Sequence, residues 1–309
     1  MTRAQRSFIV MLSTLGGLLP ILVYWIEHGG LGAPVFAGAR GMGAAEQFAQ
    51  VVAGLVIKPA YMFISFVLIL AMLRQKERDL AALRWGMIAF LAGEIFCAVN
   101  FITYKHGSLI SEYIHSYGMA LAFGFFTYAF LEILDGRIFH INRGRCSMNE
   151  LCQTCKRTTP LHCAARRLAI LLVSMTMLAS FLPLAVSVSP ESYTTDLFGV
   201  PYSYARFDFY QWYETRLLPI LALALLACAL IPLLRPGGDP LPQSAKILFA
   251  AGFGALGFSL FRVILASMFA GNLVWFEFWE ELTELMFTGA FAFLLWQFRG
   301  ALKVDIALA

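Results

Sequence analysis

The chain has 309 residues, 60% of them hydrophobic, 15% aromatic and only 14% charged, and its mean hydropathy is +0.72. That balance excludes an ordinary water-soluble surface and reads as an integral, multi-pass protein of the cell membrane, with lipid as its first partner. Nothing resembles a nucleotide-binding loop, a nucleophile elbow or a zinc-protease helix, and no nucleic-acid partner is expected.

A helix needs about 20 apolar residues to cross roughly 30 Å of hydrocarbon, and about eight windows qualify. They are 8–26, 52–73, 85–104, 109–133, 168–189, 213–234, 246–270 and 274–298. With no internal repeat and no long linker, the fold expected is all-α: a polytopic transmembrane helix bundle forming a single integral membrane domain over 1–309.

Lys and Arg accumulate on cytoplasmic segments. Under an alternating topology Arg3, Arg6, Arg74, Lys76, Arg78, Arg84, Arg137, Arg143, Arg145, Lys156, Arg157, Arg166, Arg167, Arg235, Lys246, Arg299 and Lys303 fall on one face. Only Arg40, Lys105, Arg206 and Arg216 fall on or near the other. Both termini are therefore expected in the cytoplasm.

The first span follows MTRAQRS, a positive segment like the start of a signal peptide. Nothing after the span resembles a small-residue cleavage site, so it is read as a retained helix. A Gly-rich connection leads to span two, where Lys58 lies in the outer half and Pro59 frees a backbone carbonyl. Span three carries Glu94, about 15 Å below its outer end by helical rise. Span four begins with SEYIH, which places Glu112 and His115 at i and i+3, a pair that di-iron bundles take from a helix, with Glu94, Glu281 and Glu284 as further oxygens. His115 is the only histidine well inside a span, which argues against a bis-histidine haem.

Between spans four and five lies a cytoplasmic cysteine-rich loop, 135–167, with Cys146, Cys152, Cys155 and Cys163 in a C-x5-C-x2-C-x7-C spacing. A reducing compartment disfavours disulfides, so four thiolates gathered on one loop point to a bound metal. Two occupants suit them, an iron–sulfur cluster or a structural zinc. The spacing matches no ferredoxin pattern, and His162 could replace one thiolate at a zinc. The charge buried in the spans tips the reading toward the cluster, because ionisable groups inside hydrocarbon usually mark proton, ion or substrate paths.

The aromatic segment SYTTDLFGVPYSYARFDFYQWYE before span six fits an interfacial belt. Glu214, at the start of span six, and Glu277, in span eight, read as structural carboxylates that pair with neighbouring helices or sit wet at the interface. Span seven holds Arg262 about 12 Å deep, and its AAGFGALGF stretch reads as close helix packing. In span eight, FEFWEELTELMF sets Glu277, Glu281 and Glu284 at i, i+4 and i+7 on one helical face. Lys58 and Arg262 are the expected cations for Glu94 and Glu284.

The leading functional expectation is a membrane redox protein. It would pass electrons between a cytoplasmic iron–sulfur cluster and a quinone or metal site in the outer half of the membrane. Glu94, His115, Arg262, Glu281 and Glu284 would handle protons, and Phe96, Phe101, Trp275 and Trp279 would wall a quinone ring. A cytoplasmic redox partner or further membrane subunits would complete the path. The alternative is a proton- or cation-coupled transporter with a zinc in its loop and a helix broken near Lys58 and Pro59. A third expectation is a non-catalytic assembly subunit or sensor.

Overall fold

The computed structural model describes residues 43–103, 109–141, 146, 163–186, 193–197, 200–204, 213–235, 239–269, 273–297 and 300. Span one lies outside the described residues. Among the described residues six helices are long and apolar enough to cross a membrane: α1 (Ala44–Met72), α2 (Arg78–Thr103), α3 (Ile110–Phe139), α4 (Ala164–Ala185), α5 (Tyr213–Leu234) and α6 (Gln243–Met268). A seventh, α7 (Leu273–Gln297), is as long but carries Glu277, Glu280, Glu281 and Glu284. Between α4 and α5 a hairpin pairs β1 (Tyr193–Leu197) antiparallel with β2 (Val200–Tyr204), Leu197 opposite Val200 and Tyr193 opposite Tyr204. The segment read only as an aromatic belt thus contains two strands.

The polarity of the helices is the reverse of a soluble protein's. Leu55, Phe63, Ile110 and Leu178 are exposed, while Glu94, Ser65, Ser259 and Thr288 are fully buried. Only 22–44% of each of the six apolar windows is buried. Such a surface is stable in lipid and insoluble in water.

Among the described residues, three helices contain wide turns in which the backbone N–H bonds five residues back. In α1 these cover Ala53–Ile57, and the Lys58 N–H donates to the Ala53 carbonyl. Pro59 follows at once. It has no N–H to give Leu55 and its ring crowds that carbonyl, so widening the preceding turn accommodates it. Pro219 in α5 follows the wide turns at Tyr213–Leu217 in the same way. The third set, Leu134–Phe139, ends α3, where His140 turns left-handed at φ 48°.

The described helices sort into two units. One draws on Met1–Ile64, Val188–Phe207 and Ile264–Leu302, the other on Ser65–Ser187 and Asp208–Val263. The second unit is built on the α2–α3 hairpin. Gly118 of α3 meets Gly93 of α2 so closely that a Cβ on Gly118 would stand 2.9 Å from the Gly93 Cα. Gly252 of α6 packs against Leu226 of α5, and Gly254 of α6 against Gly124 of α3. The glycines of AAGFGALGF therefore serve helix packing, as the sequence implied.

Long cations close the helix ends of this unit. Arg84 donates to the carbonyls of Met72, Leu73 and Gln75 at 3.2, 2.7 and 3.3 Å, capping α1. Arg216 donates to those of Pro183, Leu184 and Val186 at 2.7–2.8 Å, capping α4. Each helix leaves its last carbonyls without intrahelical donors, and a guanidinium supplies several at once.

Candidate functional site

In the second unit the buried polar side chains gather at two levels along the helices. Asp79 and Glu94 on α2, Glu132 and His115 on α3, and Lys246 and Arg262 on α6 are each separated by about 22–26 Å of helical rise. A hydrocarbon core of roughly 30 Å holds both levels.

At one level Glu94 and His115 meet. The His115 Nδ1 lies 3.3 Å from Glu94 Oε1 and 3.4 Å from the Gly93 carbonyl oxygen. The carboxylate is 0% exposed and the histidine 2%. The Gly93–Gly118 crossing holds the two helices at the separation that lets these side chains meet. Phe258 of α6 closes the imidazole edge-on, its ring centre 6.4 Å away. Because carboxylate and carbonyl are both acceptors, a neutral His115 carries its hydrogen on Nδ1 and leaves Nε2 as a proton acceptor. Cys97, one turn beyond Glu94 on α2, joins the pair: one ligand atom from each of Glu94, Cys97 and His115 lies within 4.8 Å of the other two.

Beside this pair runs a second ionic contact. Arg262 Nε lies 3.0 Å from Glu214 Oε2 as an ion pair, and the Ser116 hydroxyl donates to Glu214 Oε1 at 2.8 Å. The Arg262 guanidinium also lies over the Phe258 ring, 5.4 Å from its centre. Tyr213 packs against Tyr113 and Tyr117, with ring centres 5.5 and 5.1 Å apart. Glu214 was expected either to pair with a neighbouring helix or to lie wet at the interface. It is buried, carried by the wide turns that Pro219 imposes on the start of α5.

The opposite level holds Lys246, whose Nζ lies 2.5 Å from Glu132 and 2.8 Å from Asp135. Arg137 binds Asp79 and Glu77, and Gln243 donates to the Tyr128 hydroxyl. Asp135 thus belongs to a buried helical ion pair and not to the basic loop in which the sequence placed it. Next to it an apolar cavity of about 140 Å³ opens between α3, α4, α5 and α6, lined by Leu134, Phe139, Leu172, Leu233 and Phe249 among others.

The first unit has its own network. Lys58 Nζ lies 2.8 Å from Glu281 Oε1, the Tyr61 hydroxyl donates to Glu281 Oε2 at 2.6 Å, and Lys58 donates to the Tyr61 oxygen at 2.9 Å. One turn away Gln50 donates to Glu277 at 2.9 Å. On α7 the buried stripe continues through Glu284, Thr288, Phe291 and Leu295, the 3–4 spacing of one helical face.

Lys58 thus pairs with Glu281, and Arg262 with Glu214, two pairings that the expectation of Glu94 and Glu284 did not include. Depth along each helix says nothing of which faces meet. Tyr61 and Ser116 carried no sequence signal beyond their place one turn from a charged residue.

Of the loop cysteines, Cys152 and Cys155 lie outside the described residues. Cys146 and Cys163 are free, half-buried thiols, and Cys163 precedes the first turn of α4, its carbonyl accepting the Arg167 N–H at 3.0 Å. Helix α3 runs on to Phe139 and α4 starts at Ala164, leaving 140–163 between them. No family model, curated protein or solved structure matches the chain.

Proposed function

We propose that the chain is a redox protein of the cell membrane, with eight spans and both termini in the cytoplasm. Its four loop cysteines, Cys146, Cys152, Cys155 and Cys163, hold an iron–sulfur cluster, and its buried ionisable side chains serve a quinone or a metal centre in the outer half of the membrane. The cluster would supply one-electron exchange with a cytoplasmic partner. The observation that carries the reading is the pairing of Glu94 with His115 out of reach of water. A carboxylate and an imidazole are costly to bury in a lipid-facing helix pair, and a proton-handling task is the common reason for keeping them there. Glu94 orients the imidazole, His115 Nε2 takes the proton, and Arg262 supplies fixed positive charge for a developing oxyanion. Glu281 and Glu284 give a second set of carboxylates for proton exchange within their own unit.

A second reading rests on α1. Its wide turns at Ala53–Ile57 set Lys58 against Tyr61 and Glu281, the kind of interrupted helix with a buried ion pair on which coupled transporters bind their cargo. On that reading the cysteine loop holds zinc and the chain is a proton- or cation-coupled carrier.

Anaerobic purification separates the two. The redox reading expects iron and sulfide, an EPR signal on reduction, and loss of both in a Cys152→Ser variant. Glu94→Gln should slow quinol-linked turnover and leave the EPR signal unchanged. Stoichiometric zinc without iron would overturn the redox reading and favour the carrier.

A further inference from the structure

We infer that Glu94, Cys97 and His115 form a second metal site, within the membrane-spanning part of α2 and α3, for a divalent first-row transition ion. The inference rests on the reading that this network is the working centre, and it decides between the quinone and the metal centre left open there.

The donor set is the first argument. An oxygen, a sulfur and a nitrogen donor suit ions of borderline softness, and three protein ligands with one open position is the arrangement of reactive rather than structural sites. Glu94 and Cys97 stand at i and i+3 on one face of α2, and His115 faces them from α3, so two rigid helices present all three donors. The Gly93–Gly118 crossing fixes that presentation beside Glu94 and within one turn of His115.

The distances are the second argument. A charge-assisted N–H···O bond settles at about 2.7–2.9 Å. The 3.3 Å between His115 Nδ1 and Glu94 Oε1 is longer than that, and it equals the edge of a tetrahedron around an ion with bonds of about 2.0–2.1 Å to nitrogen and oxygen. The corresponding edges to a sulfur bonded at about 2.3 Å are about 3.5–3.6 Å. All three ligand atoms already lie within 4.8 Å of one another, so side-chain rotations of less than one bond length complete the set.

Surroundings complete the case. Glu94 and His115 are shut from solvent, Phe258 covers the ring, and the Gly93 carbonyl stands 3.4 Å from the same nitrogen. On binding, Cys97 gives up its thiol proton, the His115 hydrogen moves from Nδ1 to Nε2 so that the neutral imidazole ligates through Nδ1, and the ion takes the place of the shared hydrogen. Proton exchange then falls to Glu214 and Ser116 beside Arg262.

The test uses the full-length chain with Cys146, Cys152, Cys155 and Cys163 all changed to Ser, so that the loop cluster plays no part. Titration with Co²⁺ should saturate at one equivalent per chain, with intense visible bands of a four-coordinate ion and a thiolate-to-cobalt absorption, and Zn²⁺ should bleach them. Cys97→Ala should abolish the thiolate absorption, and His115→Ala should lower the affinity at least tenfold, while both variants melt within a few degrees of the parent. In the chain with its loop intact, Cys97→Ala should contain one transition-metal equivalent fewer at unchanged sulfide content. No saturable Co²⁺ signal, or one that survives Cys97→Ala, overturns the site whether or not the loop holds a cluster.

Discussion

A Cβ built on Gly254 would stand 2.4 Å from the backbone nitrogen of Gly124, so α6 and α3 cross with their main chains in contact. Nothing at that spot can give way, because the obstructing atoms belong to a helix backbone. Gly254→Ala should therefore lower stability by about 1–3 kcal/mol, the usual cost of overpacking. Gly54 and Gly289 have open space around the same position, and alanine there should be neutral or stabilising through its better helix propensity. Thermal unfolding in detergent micelles compares the three variants, and equal melting temperatures would refute the crossing.

The Lys246 ammonium sits between Glu132 and Asp135, all three largely buried. Removing the cation alone strands two carboxylates, which costs about 3–5 kcal/mol for one buried pair. Lys246→Met should thus be strongly destabilising. Adding Glu132→Gln and Asp135→Asn to the same chain should restore most of the loss, because no uncompensated charge remains. Denaturant unfolding of the single and triple variants measures the difference, and a triple variant less stable than the single one would contradict the ion-pair account.

Tyr61 links Lys58 and Glu281 through one hydroxyl, donating at 2.6 Å and accepting at 2.9 Å. Tyr61→Phe keeps the direct Lys58–Glu281 contact and should cost about 1–3 kcal/mol, the value of a hydrogen bond to a charged group. Lys58→Met leaves a buried carboxylate without its cation and should cost more, about 3–5 kcal/mol. The order of the two effects is the readout. If Lys58→Met proves the milder change, the network is organised around the phenol and not around the ion pair.

These contacts show what the sequence made legible. Apolar length alone located every described helix, and the glycines of span seven announced close packing. Burial of Glu94, His115, Arg262, Glu281 and Glu284 was visible too, since charges that far inside an apolar run have no other stable place. Partners were not visible. Counting 1.5 Å per residue gives the depth of Lys58 but not its azimuth, and the azimuth is reset by the wide turns at Ala53–Ile57. The same kind of turn before Pro219 carries Glu214 into its buried ion pair. A proline shortly after a charged residue was the available clue, directly after Lys58 in LVIKPAY and three residues after Arg216 in YETRLLP. The hairpin at 193–204 was hidden by its aromatic composition, which an interfacial belt explains equally well, although the Phe198–Gly199 step between two alternating runs is a turn signal.

Membrane orientation gives the last prediction. On the proposed orientation, drawn from the excess of Lys and Arg, the segment between α3 and α4 faces the cytoplasm, and with it Cys146, Cys152, Cys155 and Cys163. In a chain whose Cys97 and Cys228 are replaced by Ala, a membrane-impermeant maleimide should leave intact cells unlabelled and modify the protein only after permeabilisation. A cysteine introduced in place of Ser203, in the hairpin, should behave in the opposite way and react at once. Reducing conditions on the loop side are what make thiolate ligation available to those four residues, so labelling of the loop in intact cells would remove the chemical basis for a metal there. The intramembrane donors Glu94, Cys97 and His115 would be untouched by that result, because their convergence depends on the α2–α3 crossing and not on which way the helices point.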